Sequence, residues 1–526
     1  MDQFANLSAQ FPVYRQEGTP DTPFGGFLLY VAVSLTVTLF NLYIDIRQHR
    51  RYSDTEVNPL LLELVDKLPP IEQKKKSVTT TDADENGDEI TDDQDSPTDA
   101  AESTATQDDD KSESDNLPSS ENGAKASTEE EEEKEPEEQY TTYKEKILAK
   151  FPASQAYSKD KSCFGFVTSA FGIVQGLAFL CLGFAPYMWD QAGEIMNLLP
   201  ESYASDTVQA CIFISITSLL ELPLSLPFSI YRTFVLEARH GFNKTTAKTF
   251  VKDLCLGLVL KAAIGLPVMA FILSVIEKTG EYFFIYVTVA VMAITFFMMT
   301  IYPDFIAPCY NKFDALPDGD LKQKIEDLAA GESFPLKKLF TIDGSKRSAH
   351  SNAYLYGFCN NKRIVLFDTL LAQCNEHEIV AILGHEIGHW KMGHTVQNLV
   401  ISQVQIFLIF YSLSFFLGNE VMYHTFGFND TPTFIGLTLF LDIAFTPLNP
   451  LIQFGMSYMT RKFEFQADAY AAKLGHTAHL KVGLVKLQLE NLGALAVDPL
   501  YSAYHYSHPP IVERLRALDE FEKKAD

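Results

Sequence analysis

Seven apolar segments limit what this chain of 526 residues can fold into more than any other feature. Each supplies about 20 mostly apolar residues, which is the length that an α-helix needs to cross the hydrocarbon core of a bilayer. The segments are residues 24–44, 164–185, 208–231, 254–276, 282–302, 399–417 and 433–453. The sequence therefore predicts an all-α polytopic membrane protein with seven transmembrane helices.

Two of these segments contain polar or proline residues. The third contains Glu221, Pro223 and Pro227, and the seventh contains Asp442, Pro447 and Pro450. Such positions are tolerated within a membrane where they face the protein interior or a water-filled cavity. The interruptions therefore predict a cavity among the membrane helices.

The basic residues predict the orientation in the membrane. Lys and Arg follow the first and third segments, whereas the loop 186–207 has four acidic residues and no Lys or Arg. Because cytosolic loops carry an excess of Lys and Arg, we expect the N-terminus to be lumenal. No cleavable signal sequence precedes the first segment, which is then a retained anchor.

This topology divides the chain into five parts. They are a lumenal N-terminus (1–23), helices one to five with their loops (24–302), a cytosolic catalytic segment (303–398), helices six and seven (399–453) and a cytosolic C-terminal segment (454–526). Within the second part, residues 82–138 hold 24 acidic residues and three lysines. We predict that the tract 77–139 is disordered, either as a solvated insertion or as a binding segment for basic partners. The acidic balance excludes a basic nucleic-acid surface.

The candidate chemistry lies between the fifth and sixth segments. Apolar residues in the run 376–394 follow helical spacing, which places His385 and His389 one turn apart on one face. Two imidazoles at that separation can bind one zinc ion, and Glu386 then lies beside the open coordination position as a general base. Gly388 permits close approach of another backbone.

A third zinc ligand must come from elsewhere in the chain. A metzincin would have a histidine where Thr395 stands, and His394 is one residue out of register. The segment 461–474 has a helical composition and carries Glu464 and Asp468 on one face. We predict that Glu464 binds zinc and that Asp468 accepts a hydrogen bond from a ligand imidazole. The alternative for these two acids is a solvated helix face.

Several stretches together resemble a known family. They are EARHGFNKTT (237–246), PDFIAPCYNKF (303–313), SNAYLYGF (351–358), KRIVLFDTLL (362–371), HEIGHW (385–390), FEFQADAYA (463–471) and HPPIVERL (508–515). The chain is similar to the type I CAAX prenyl proteases, which are zinc metalloproteases of the endoplasmic reticulum membrane. The resemblance implies zinc ligands at His385, His389 and Glu464 and a catalytic glutamate at Glu386. It also implies seven membrane helices that form a barrel around an aqueous chamber, with a zincin-like domain containing a short β element on the cytosolic side.

Two further elements gain a role from the resemblance. Residues 351–358 alternate as in a β-strand, and an edge strand beside the HExxH helix can bind an extended peptide through its backbone. We therefore expect Asn352, Ala353 and Tyr354 to bind substrate, with an ordinary strand as the alternative. His508 and Arg514 would otherwise be a loop histidine and a surface arginine, but the resemblance favours stabilisation of an oxyanion.

The implied function is hydrolysis of prenylated CAAX proteins after the modified cysteine, which releases the last three residues. The expected cofactor is one zinc ion per chain, and the expected partners are prenylated substrates and membrane lipid. The ending Lys523–Asp526 resembles a dilysine retrieval signal, in keeping with the endoplasmic reticulum or the contiguous nuclear envelope, although a plain charged tail is the alternative. A membrane quality-control metalloprotease and a scaffold with structural zinc are the competing functions. An intact Glu386 argues against the scaffold, because structural zinc needs no general base.

Overall fold

The computed structural model describes residues 23–71, 140–357 and 361–525. The chain divides into two units, residues 1–70 with 142–526, and residues 71–141. Of the smaller unit only the two ends are described, where Ile71 N–H donates to the carbonyl oxygen of Thr141 at 3.1 Å. The predicted disordered tract 77–139 lies outside the described residues, and all that follows concerns the larger unit.

Helices make up most of the larger unit. Its first half contains α1 Pro23–Arg51, α2 Pro59–Val65, α3 Tyr143–Cys181, α4 Phe184–Met196, α5 Asp206–Tyr231, α6 Ala247–Leu260, α7 Leu266–Thr279, α8 Phe283–Ile301 and α9 Ala307–Tyr310. Its second half contains α10 Asp320–Gly331, α11 Asp368–Gln373, α12 Glu376–Lys391, α13 His394–Leu413, α14 Glu420–Thr425, α15 Thr433–Lys473, α16 Thr477–Glu490, α17 Pro499–His505 and α18 Ile511–Ala525.

Six helical stretches among the described residues are long and apolar enough to cross a membrane. One of them, Ala247–Tyr310, has 64 residues, about three times the length that a single crossing requires. It is interrupted at Gly280, where φ is +63° and a single 3₁₀ turn separates α7 from α8. Ile276 of α7 and Phe283 of α8 lie in one hydrophobic cluster, so the two helices pack against each other. The break divides this stretch into two helical segments, so the described residues hold seven candidate membrane spans, the number that the sequence predicts.

The polar and proline positions in the spans lie within continuous helices. Pro223 and Pro227 are inside α5, and Pro447 and Pro450 are inside α15. Glu221 accepts a hydrogen bond from Gln175 Nε2 at 2.9 Å. Asp442 lines a cavity of about 420 Å³ between α1, α3 and α15, which agrees with the expectation that such residues face internal space.

A small mixed sheet lies in the second half of the chain. Its strands are β1 Phe313–Ala315, β2 Leu336–Ile342, β3 Ala353–Tyr356 and β4 Lys362–Phe367, in the order β1-β2-β4-β3. β2 and β4 are parallel, and the outer strands are antiparallel to their neighbours. The centre of β4, residues 364–366, is fully buried. β3 is an edge strand, as the sequence predicted.

Three Arg–Asp pairs join membrane helices to the second half of the chain. They are Arg47–Asp498, Arg347–Asp253 and Arg363–Asp304. In each pair two guanidinium nitrogens bond to the carboxylate. Since two-point Arg–carboxylate contacts fix orientation as well as distance, these pairs help to orient β4, the loop before β3 and the start of α17 relative to the membrane helices.

Candidate metal centre and catalytic cavity

Helix α12 has the start and the faces that the sequence predicted. Asn375 caps it in a capping box with Glu378, which satisfies the first backbone donors. Its buried face carries Ile379, Leu383 and Ile387. A Cβ atom on Gly388 would lie 3.0 Å from Tyr470 Cβ and 3.2 Å from Ala467 Cα, so α12 and α15 approach each other closely there. This close packing brings Glu464 of α15 to the two histidines of α12.

Three donor atoms face one another at this crossing. His385 Nε2 lies 3.1 Å from His389 Nε2, and Glu464 oxygens lie 3.5 Å and 3.2 Å from those nitrogens. A tetrahedral zinc shell with bonds of about 2.0–2.1 Å has ligand separations of roughly 3.3 Å. Glu464 Oε2 is buried and has no hydrogen-bond partner among the described residues, although His508 Nδ1 lies 2.8 Å from the same oxygen. The residues therefore fit a zinc ion.

The charges around His385 favour a cation at the same point. Burial acts to lower the pKa of His385, but the hydrogen bond to Asp468 and the adjacent carboxylate of Glu464 raise it to about 9. A raised histidine pKa means that the site stabilises positive charge. A divalent metal ion would supply that charge between the three donor atoms.

The second nitrogen of His385 is in contact with Asp468. His385 Nδ1 lies 2.8 Å from Asp468 Oδ1, and an ionised carboxylate can only accept, so Nδ1 carries the hydrogen. Arg514 donates to both oxygens of Asp468, at 2.8 Å and 2.6 Å. Its Nη1 lies 3.7 Å from Glu464 Oε2. The structure thus brings Arg514 to the metal centre, where its main partner is Asp468.

The second nitrogen of His389 is held by residues that sequence reasoning missed. His389 Nδ1 lies 3.0 Å from His394 Nδ1, and His394 Nε2 lies 3.0 Å from Gln466 Oε1. The His394 ring stacks on Phe463 with a centroid separation of 4.2 Å. The available signal was a third histidine just beyond the HExxH helix and a glutamine between the two acids of α15.

A cavity of about 820 Å³ opens beside the metal centre. Its polar lining includes Glu386, His389, Glu464 and His508. Its apolar lining includes Ile294, Met298, Met299, Phe334 and Trp390. The side chain of His508 is 67% exposed, so it faces this space while touching Glu464. A ligand with both a peptide group and a large apolar group would find partners here.

The edge strand β3 borders the same cavity. Leu355, Tyr356 and Gly357 line it, whereas the predicted substrate residues Ala353 and Tyr354 begin the strand and Asn352 directly precedes it. Asn352 is exposed, and its Oδ1 accepts a hydrogen bond from Ala353 N–H at 2.9 Å. Leu355 and Gly357 were missed, because alternation predicts a strand without saying which half meets the catalytic residues.

Comparison with known proteins identifies the family. Residues 131–312 match a model described as the CAAX prenyl protease N-terminal domain with five membrane helices, and residues 315–522 match peptidase family M48. A CAAX prenyl protease 1 homolog of Arabidopsis thaliana is 48% identical over 72% of this chain and 89% of its own length. The chain belongs to the CAAX prenyl proteases of peptidase family M48.

Other members of family M48 extend the similarity to solved structures. The CAAX prenyl protease 1 of Saccharomyces cerevisiae is 42% identical over 71% of this chain and 86% of its own length. The crystal structure of S. mikatae Ste24p matches with a TM-score of 0.73 and 35% identity, over 94% of this chain and 98% of that one. The M48 match contains every predicted site residue, and residues 1–130 lie outside both family models.

The M48 metalloprotease has a partly buried carboxyl group at the position expected for its base. Burial raises the pKa of Glu386, and the nearby histidines only partly oppose this effect. A carboxylate with a raised pKa binds a proton more readily than an ordinary one. Glu386 can therefore accept a proton and later release it within the same cavity.

Proposed function

We propose that this chain is a zinc-dependent endopeptidase that hydrolyses the peptide bond after a prenylated cysteine and releases the last three residues of CAAX proteins. The observation that carries the proposal is the meeting of the three facing donor atoms, Glu386 and the edge of β3 in one partly apolar cavity. The names of the relatives, CAAX prenyl proteases from plants to yeast, support the substrate class.

In this proposal one zinc ion is held by His385 Nε2, His389 Nε2 and a carboxylate oxygen of Glu464, whose atoms lie within 4.8 Å of one another. When bound, zinc supplies a Lewis acid that polarises the scissile carbonyl and makes the attacking water more acidic. Asp468 keeps the hydrogen of His385 on Nδ1 and leaves the Nε2 lone pair for the metal.

Glu386 moves the proton. It takes the proton from the attacking water and passes it to the leaving amine, a cycle that suits a partly buried carboxyl group with a raised pKa. His508 lines the cavity with an exposed ring and donates to the developing oxyanion. Arg514 adds positive charge beside Glu464 while it fixes Asp468.

The substrate peptide lies extended along the free edge of β3. Asn352, Ala353 and Tyr354 are the proposed substrate-binding residues, and Ala353 presents its backbone groups to the free edge. The hydrogen bond from Ala353 N–H to Asn352 Oδ1 marks where a substrate carbonyl would accept. The prenyl chain contacts the apolar part of the cavity, around Met298 and Trp390.

The proposed orientation follows the distribution of basic residues. Residues 1–23 are lumenal, and the segments 303–398 and 454–526 are cytosolic, where prenylated protein termini are exposed. The proposed location is the endoplasmic reticulum membrane, which the similarity to the CAAX prenyl protease 1 of Saccharomyces cerevisiae supports.

The proposal is tested with a farnesylated CAAX peptide and its unprenylated twin. Purified wild type and a Glu386→Gln variant are compared, with zinc content measured in both. If wild type alone releases the tripeptide from the prenylated peptide, the result supports both the proposed hydrolysis and Glu386 as its general base. If both proteins hold zinc and neither cleaves either peptide, the proposal fails.

A further inference from the structure

A second cavity, of about 400 Å³, lies between the end of α1, the middle of α3 and the loop after α16. We call it the lysine pocket. Its lining includes Tyr52, Tyr157, Lys161, Asn491, Leu492 and Tyr506. Four hydroxyl-bearing or amide side chains and one ammonium make it suited to a polar ligand with negative charge.

Lys161 is the cation of the lysine pocket. Within residues 23–71, 140–357 and 361–525 its ammonium forms no hydrogen bond and no ion pair, and it lies 4.7 Å from the ring centroid of Tyr157. Two acids are near: Asp45 lines the pocket and pairs with His505 at 3.6 Å, and Glu237 accepts a hydrogen bond from Tyr157 at 2.9 Å. Neither acid forms an ion pair or a hydrogen bond with Lys161 among the described residues, so the donors of Lys161 remain available.

The lysine pocket adjoins the first end of the edge strand. Asn491 in its wall accepts a hydrogen bond from Ser351 N–H at 3.0 Å and donates to the Ser351 carbonyl at 3.4 Å. Tyr157 Oη lies 3.3 Å from His350 Nε2. The residues that lead into β3 therefore form direct contacts with the pocket wall.

The free edge of β3 connects the lysine pocket with the catalytic cavity. The carbonyl of Asn352 accepts from Phe367 N–H of β4 at 3.1 Å. Backbone groups alternate between the two sides of a strand, so those of Ser351, Ala353 and Leu355 face the free edge. Asn491 already occupies this edge at Ser351. A peptide added to the edge thus runs between Gly357, at the catalytic cavity, and Asn491, at the lysine pocket.

The chemistry at the two ends gives that peptide a direction. The end at Leu355 and Gly357 has the apolar cavity with Glu386, and the end at Ser351 has the unpaired ammonium of Lys161. Under the proposed function, the substrate has its lipid before the scissile bond and a carboxylate three residues after it. Three extended residues span about 10 Å, close to the roughly 13 Å from Leu355 back to Ser351.

We propose that the lysine pocket is the subsite for the free carboxylate at the C-terminus of the substrate, which Lys161 binds while the peptide runs antiparallel to β3. This inference rests on the proposed function. It explains the length of the released fragment, because Asn491 blocks the edge beyond the third residue.

The test compares two farnesylated peptides that differ only at the C-terminus, one with a free acid and one with a carboxamide. They are given to zinc-loaded wild type, Lys161→Met, Lys161→Arg and Lys159→Met, and kcat and KM are measured separately. Lys159 lies two residues away on α3, is exposed and bonds to Ser53, so its variant is the matched control.

For wild type and Lys159→Met we expect kcat/KM to be roughly 10- to 100-fold higher for the free acid than for the carboxamide, mainly through a lower KM. This ratio is that of a charge-assisted hydrogen bond. In Lys161→Met this ratio should fall to about one, and Lys161→Arg should restore part of it. A wild type without preference, or a Lys161→Met variant with the wild-type ratio, overturns the inference. A zinc-loaded wild type that cleaves neither peptide overturns the proposed function and the inference with it.

Discussion

His389 and His394 face each other through their Nδ1 atoms at 3.0 Å. Only one of the two nitrogens can carry the hydrogen in a hydrogen bond between neutral rings. Gln466 Oε1 accepts a hydrogen bond from His394 Nε2–H, so the hydrogen of the His394 ring is on Nε2 and His394 Nδ1 is an acceptor. His389 then donates from Nδ1 and has its Nε2 lone pair directed at the metal centre, as Asp468 ensures for His385.

The first prediction concerns this chain of contacts. His394→Phe and Gln466→Leu should each weaken zinc binding by about 10- to 100-fold, because the orientation and tautomer of His389 are no longer fixed. The measurement is zinc affinity by chelator competition, with the visible spectrum of the cobalt-substituted protein as a second readout. His479→Phe is the control, since His479 is exposed and contacts His377 away from the site. Unchanged affinity and spectrum in His394→Phe would contradict the assignment.

The second prediction concerns the crossing of α12 and α15. Gly388→Ala should push the helices apart, because the new Cβ would lie 3.0 Å from Tyr470 Cβ and 3.2 Å from a backbone carbon of Ala467. We expect a loss of about 1–3 kcal/mol in stability and weaker zinc binding, since Glu464 moves from the histidines. Thermal unfolding and zinc content are the measurements.

Gly384→Ala is the matched control on the same helix. Its Cβ would have no neighbour closer than 3.5 Å, which is ordinary contact. Equal effects of the two alanine substitutions would show that helix packing at Gly388 does not hold the site together.

The sequence predicts those parts of the site that depend on local spacing. His385, Glu386 and His389 follow from one helical turn, and the strand at Ala353–Tyr356 follows from alternation. The prediction of Glu464 required two arguments together: the need of zinc for a third protein ligand, and the family resemblance. Its distance of 3.2 Å from His389 agrees with that prediction.

Contacts between distant segments were not predictable in the same way. His394 and Gln466 are separated by 72 residues, and Ser351 and Asn491 by 140. These contacts depend on how α13, α15 and the loop after α16 pack, and a single sequence contains no periodic signal for them. The turn at Gly280 illustrates the opposite case, because span length alone requires a break between α7 and α8.

The third prediction concerns pH and the C-terminal helix. Lys481 donates to Asp519 at 2.6 Å in a largely buried pair. Burial acts to raise the pKa of Asp519, but the bonds to Lys481 and Lys67 lower it from the ordinary 3.8. A lowered carboxyl pKa contributes stability that is present above the ordinary value and is lost as the pH falls from there through the folded-state value.

Asp519→Asn should therefore cost about 1.5–3 kcal/mol near neutral pH, since it removes a charge-assisted hydrogen bond and leaves Lys481 paired with the more exposed Glu522. The variant should also lose less stability than wild type on acidification below about pH 4. Thermal midpoints between pH 3 and 7 measure both effects. Glu520→Gln, which removes an exposed pair with Arg516, is the control and should change the midpoint little. Parallel pH curves for wild type and Asp519→Asn would contradict the linkage.

The fourth prediction concerns orientation and uses two sequons of the chain itself. Asn429-Asp430-Thr431 is exposed in the loop between α14 and α15, which the orientation argument assigns to the lumen. Asn243-Lys244-Thr245 lies between α5 and α6, which it assigns to the cytosol. Because N-glycans are added only in the lumen, Asn429 should carry a glycan and Asn243 none when the protein is made in eukaryotic cells. Site mapping by mass spectrometry, with Asn429→Gln as the control, checks this. A glycan on Asn243 would reverse the orientation and put the metal centre on the lumenal side, away from prenylated cytosolic substrates.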